Sequence, residues 1–153
     1  MGFFDGYNIA TSGMSAQRAR INVVSSNIAN AQTTHTKDGG PYKKQDVVFE
    51  EVLIDANKKT TKSISNTNDQ LNALTSLRGV GVKEIVDSKD EFLMKYEPGH
   101  PDANDDGYVK YPNINPVVEM VNLMEATRSY EANVASFKNQ KDIDTKTIDI
   151  LKA

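Results

Sequence analysis

The residues best equipped for chemistry are Asp102-Ala103-Asn104-Asp105-Asp106-Gly107. Oxygen-bearing side chains at the first, third and fifth positions, then a turning glycine, match the first half of an EF-hand calcium loop. The second half does not follow. The twelfth position, where a bidentate glutamate belongs, is Asn113, and Pro112 precedes it. Pro98 and Pro101 also deny the loop an entering helix. The expectation is a plain Asx/Gly turn without calcium. His35 and His100 lack neighbours at ligand spacing, so no metal is expected. Gly79-Val80-Gly81 lacks the strand-to-helix setting of a phosphate loop. Glu119, Glu125 and Glu131, with Arg128 between the last two, suit ion pairing along a helix better than paired acid–base work. There is no cysteine, hence no disulfide or thiolate chemistry, and no Ser/His/Asp set. The expectation is a chain without catalytic residues or cofactor.

The strongest pattern lies instead in the elements at the two ends. Asn115 can cap a helix, Pro116 fits its first position, and no proline or glycine follows. A helix from Asn115 to Leu151 spans roughly 55 Å. Val117, Met120, Leu123, Met124, Tyr130, Val134 and Phe137 form an apolar stripe along it. At the other end Phe3, Tyr7, Ala10, Met14, Gln17, Ile21, Val24, Ile28 and Ala31 step by four and three, a heptad pattern with one polar member. Gly6 and Gly13 weaken that helix by about 1 kcal/mol each relative to alanine. Two stripes at opposite ends imply that the termini pair as a coiled coil and that the seam also meets other chains.

Composition limits the alternatives. The 153 residues are 38% hydrophobic and 25% charged, with formal net charge −3. That length carries one modest core, and the mild acidity argues against nucleic acid or an anionic membrane as partner. Mean hydropathy of −0.54 leaves part of the chain as loop or dependent on a partner for order. No secretory leader is read at the N-terminus, and no run reaches transmembrane length.

Between the helices, Gln45–Ile54 reads as a strand. The stretch 56–74 is rich in Lys, Thr, Ser and Asn and reads as a flexible polar loop. Gly79–Val86 and Glu91–Tyr96 read as two strands joined as a hairpin through Asp87–Asp90, and Tyr108–Tyr111 as a short extended piece. The expected class is α+β, mainly α. Residues 1–36 and 114–153 form the terminal helical unit, and 37–113 a small central β-rich module.

Several stretches together resemble the bacterial flagellar axial family, which builds rod, hook and hook-associated structures. Ser25-Ser26-Asn27-Ile28-Ala29-Asn30-Ala31-Gln32-Thr33 resembles its N-terminal signature. Glu119-Met120-Val121-Asn122 and Arg128-Ser129-Tyr130-Glu131-Ala132-Asn133 resemble the C-terminal one. Gly40-Pro41-Tyr42, Tyr96–Pro101 and Gly107–Asn113 are similar to stretches of its proximal-rod subunits. The resemblance covers nearly the whole chain apart from 56–74.

It implies a structural subunit of the basal-body proximal rod, passing torque from motor to hook. Such subunits leave the cell through the flagellar type III export apparatus without a cleaved signal and assemble in the periplasm with other rod subunits and copies of themselves. Nucleic acid, small-molecule substrates and membrane insertion have no part in that role. The expected assembly interface comprises Phe3, Tyr7, Met14, Ile21, Val24, Asn27, Ile28 and Asn30 at one end. At the other it comprises Met120, Leu123, Arg128, Tyr130, Asn133, Val134 and Phe137. Asn27, Asn30 and Asn133 either fix register between neighbours or cap locally. The alternative to a rod subunit is a discrete soluble coiled-coil export adaptor or binding module.

Overall fold

The computed structural model describes residues 4–37, 39–54 and 77–152. Phe3 and the polar stretch 56–74 lie outside them. Among the described residues the chain runs α1 (Asp5–Ala29), β1 (Gln45–Leu53), β2 (Arg78–Asp87), β3 (Leu93–Tyr96), β4 (Tyr108–Tyr111) and α2 (Pro116–Lys152). This is an α+β chain, as the sequence indicates. Helix α2 begins where its start signal lies: Asn115 Oδ1 accepts the Val117 N–H at 3.0 Å.

The two helices pack antiparallel. Gly6 meets Gln140 and Gly13 meets Asn133, while Asn27 meets Glu119. Seven residues forward on α1 thus bring in the residue seven back on α2. Tyr7 and Phe137 pack edge to face with ring centroids 4.9 Å apart, which anchors the far end.

Small and polar groups dominate this seam. Ala10, Gly13, Ala16, Val23, Val24 and Asn27 are buried on α1, and Glu119 and Ala126 on α2. The predicted rows coincide with it only in part. On α1, Ala10 and Val24 are buried, whereas Met14, Ile21 and Ile28 are only half-buried. On α2 the single predicted stripe divides. Leu123, Tyr130, Val134 and Phe137 are half-buried, but Val117, Met120 and Met124 are exposed. The reason is a close approach. Helices meeting over glycine and alanine come too near for a row of large apolar groups between them.

The strands pair differently from the expectation. β2 does not form a hairpin with β3. It pairs antiparallel with β1 from Gln45↔Asp87 to Leu53↔Arg78, with a bulge that leaves Lys83 unmatched. β3 pairs with β4, Leu93 opposite Tyr111 and Tyr96 opposite Tyr108. The β1–β2 ladder is the longer, and it continues through the Ser88 N–H to the Lys44 carbonyl. The segment 88–90 closes on itself instead, Ser88 Oγ bonding Asp90. The β1–β2 ribbon is tied to α1 where the Val80 N–H donates to Ser12 Oγ at 3.2 Å.

Candidate assembly site

The acidic loop serves local geometry. Asn104 Oδ1 accepts the N–H groups of Asp106 and Tyr108 at 3.1 and 2.7 Å. Gly107 sits at φ 78°, and a β-carbon there would lie 2.9 Å from the Tyr96 ring. Asp102 accepts from Thr34 Oγ1 at 2.7 Å, which pins the loop to the segment after α1. An oxygen that an EF-hand would give to calcium therefore holds the turn. Isothermal titration with calcium is expected to show no site tighter than about millimolar. A micromolar site lost in Asp102→Ala would contradict this.

Among the described residues Asn27 is the most highly connected side chain, with no exposed surface. Its Nδ2 donates to the Gln45 carbonyl at 2.8 Å and to Glu119 Oε2 at 3.2 Å. Its Oδ1 accepts the Gln45 N–H at 3.0 Å and the Tyr42 hydroxyl at 3.1 Å. All four hydrogen bonds of the carboxamide are made. They join α1, the entry to β1 and the first turn of α2.

Glu119, 2% exposed, is the charged member of this knot. Lys44 Nζ lies 3.3 Å from its Oε1, and Asn122 donates to the same oxygen at 3.4 Å. Burial works against the charge on Lys44, but the carboxylates of Asp46 and Glu119 outweigh it and raise its pKa above the ordinary value. An open cleft of about 280 Å³ lies over the knot, flanked by Arg20 and Phe49. A second link closes the far end of the helix pair. Tyr7 donates to Asp144 at 2.6 Å. That hydrogen bond, then burial and the carboxylate charges, push the phenol up to about 12.

The other two signature asparagines act more locally. Asn30 donates to the Ser26 carbonyl and accepts from Thr33, closing the end of α1. Asn133 donates to the Ser129 carbonyl at 3.0 Å while its carboxamide faces Gly13. Tyr7, Met14, Ile21 and Ile28 on α1 and Leu123, Tyr130, Val134 and Phe137 on α2 are half-buried. Met120 and Arg128 are exposed, and Val24 is buried. Glu119, Lys44, Tyr42 and Gly13 belong to the site as well, beyond the residues the sequence leads one to expect. A glycine in mid-helix and an acid in the first turn of α2 are the sequence signals for two of them.

Paired terminal helices, locked by one asparagine and one acid from the two signature stretches, define an elongated structural subunit more than a pocketed enzyme. The family described as "Flagella basal body rod protein" matches residues 8–35, and that described as "Flagellar basal body rod FlgEFG protein C-terminal" matches 105–150. The chain is 36% identical to the flagellar basal-body rod protein FlgC of Borreliella burgdorferi over 99% of both chains. It is 37% identical to that of Bacillus subtilis over 97% of this chain and 98% of the relative. The Escherichia coli protein is 38% identical over 97% of each. The chain belongs to the FlgC family of flagellar basal-body rod proteins. Its class is structural, not enzymatic.

Proposed function

We propose that this chain is a structural subunit of the flagellar proximal rod, part of the drive shaft carrying torque from motor to hook. The full-length kinship with FlgC proteins carries this reading. The seven-residue exchange between Gly6–Gln140, Gly13–Asn133 and Asn27–Glu119 supports a terminal coiled coil of residues 1–36 and 114–153. Residues 37–113 are then the β-rich module beside it. The partners are other rod subunits and further copies of the chain, in the periplasm, after type III export without a cleaved signal. Among the described residues no helix is long and apolar enough to cross a membrane. The half-buried Met14, Ile21, Ile28, Leu123 and Val134 and the exposed Met120 supply apolar surface for neighbours. A discrete adaptor would have less reason to leave α2 so apolar on its outer side.

Replacing Ile28 or Leu123 with aspartate sets a charge on that surface, at a cost of several kcal/mol once the site is covered. Both variants are expected to be exported but to leave cells non-motile, while Lys89→Ala, on an exposed turn, swims normally. Swimming and secreted subunit are scored together. Normal swimming with both aspartates would remove the packing basis of the rod reading.

A further inference from the structure

The knot at Asn27 holds more chemistry than a structural link uses. Lys44 Nζ and Asn27 Nδ2 reach the two oxygens of one carboxylate. The amine lies 3.3 Å from Glu119 Oε1, and the amide nitrogen 3.2 Å from Oε2. Asn27 has no exposed surface and Glu119 is 2% exposed, so bulk water competes little for the amide carbon. The amide oxygen accepts from two donors, the Gln45 N–H at 3.0 Å and the Tyr42 hydroxyl at 3.1 Å. Such donors draw charge from the carbonyl carbon and are placed to hold the oxyanion that forms on attack. Gln45 directly follows Lys44, and both its backbone groups hold Asn27. The amine therefore starts beside the amide.

The three side chains suit an acyl transfer. A primary amine is the nucleophile, a polarised carboxamide the acceptor, and a carboxylate touching both nitrogens carries protons between them. The fold supplies proximity. Burial works against the charge on Lys44, but Asp46 and Glu119 prevail and hold it as ammonium. The free amine is then a minor form, which makes the reaction slow.

We propose that Lys44 and Asn27 join in an isopeptide bond, formed by the folded chain itself with Glu119 as proton carrier. Glu119 takes a proton from the Lys44 ammonium and frees its lone pair. Nζ attacks Cγ of Asn27, and the carbonyl electrons move onto Oδ1, between Gln45 and Tyr42. Glu119 gives its proton to Nδ2 and then takes a second one from Nζ. The Cγ–Nδ2 bond breaks with its electron pair, and the carbonyl re-forms. Ammonia departs through the cleft of about 280 Å³ over the knot, carrying off that last proton as ammonium. One Cγ–Nζ amide has replaced one Cγ–Nδ2 amide, and no oxidant or co-reactant is used. The product ties α1 covalently to the entry of β1. The proposal goes beyond the rod reading and does not depend on it.

Intact mass tests it. Folded full-length protein is kept at neutral pH for several days and weighed at intervals. The expected result is loss of one ammonia, with a branched tryptic peptide joining residues 21–37 to 44–58. Lys44→Arg keeps a cation beside Glu119 without a nucleophilic amine, and is expected to abolish the loss. Glu119→Gln and Tyr42→Phe are each expected to slow it about tenfold or more. Circular dichroism confirms that a variant is folded, and Tyr42→Phe serves if Glu119→Gln is not. Protein held in urea is expected to keep its full mass, because proximity is lost. An unchanged mass in the folded protein overturns the proposal. So does ammonia loss that survives Lys44→Arg, which marks cyclisation of Asn27 onto its own backbone, or bond formation as fast in urea as in buffer. Each of these outcomes leaves the rod reading standing, since that reading is decided by swimming of the Ile28 and Leu123 variants.

Discussion

Asn27→Leu is expected to destabilise the protein by about 3–5 kcal/mol and to abolish swimming. Leucine keeps the branched shape of asparagine, so the loss is one of hydrogen bonds and not of volume. Four groups lose a hydrogen bond at once: the N–H and carbonyl of Gln45, the Tyr42 hydroxyl and Glu119 Oε2; the hydroxyl keeps Ser26 Oγ at 3.3 Å. Glu119 keeps Lys44 and Asn122, but its second oxygen loses its donor in a site 2% exposed. Asn27→Asp is expected to do more harm, because it removes the donor and sets a second carboxylate where 3.2 Å now separates Asn27 from Glu119. Urea unfolding of purified protein, followed by circular dichroism, measures both variants. An unchanged midpoint for Asn27→Leu would mean that the knot contributes nothing to the fold.

Gly13→Val tests the close approach of the helices. A β-carbon on Gly13 would lie 2.8 Å from Asn133 Oδ1 and 2.9 Å from its Nδ2. Asn133 cannot turn aside without giving up its bond to the Ser129 carbonyl. The expected loss is about 1–3 kcal/mol, from overpacking and from a β-branched residue in a helix. Gly13→Ala is the sharper comparison. In an open helix it would gain about 1 kcal/mol from propensity. Here contact with Asn133 is expected to cancel that gain, and Asn133→Ala to restore it. A double-mutant cycle in urea unfolding reads the coupling. A full gain from Gly13→Ala alone would show that the helices do not pass closely at this point.

Much of this protein follows from its sequence alone. The extent of both helices is legible because their signals are local: the Asn115 cap, Pro116, and long stretches of apolar periodicity. The strand over Gln45–Ile54 follows from its β-branched and aromatic content. The absence of catalytic sets pointed away from an enzyme, and the signature stretches pointed to the flagellar axial family. In each case the determining interaction lies within a few residues of chain, so the residues themselves record it.

The tertiary structure decided which side of each helix faces the other. Hydrophobic periodicity shows that a stripe is apolar, but not what covers it. Along α2, Phe137 packs toward α1 while Met124 points to solvent, although both belong to one apparent stripe. At Gly6 and Gly13 the side chains of Gln140 and Asn133, more than a hundred residues away in the chain, come up against the α1 backbone where a β-carbon would crowd them. Strand pairing was hidden for the same reason. The turn residues at 87–90 favour a local hairpin, yet the longer ladder between β1 and β2 prevails once both strands are present. Glu119 read as a first-turn acid and proved to be a buried counter-charge, because Lys44 and Asn27 reach it only after the chain has folded back on itself. Such partners become neighbours only in three dimensions, and no local pattern encodes them.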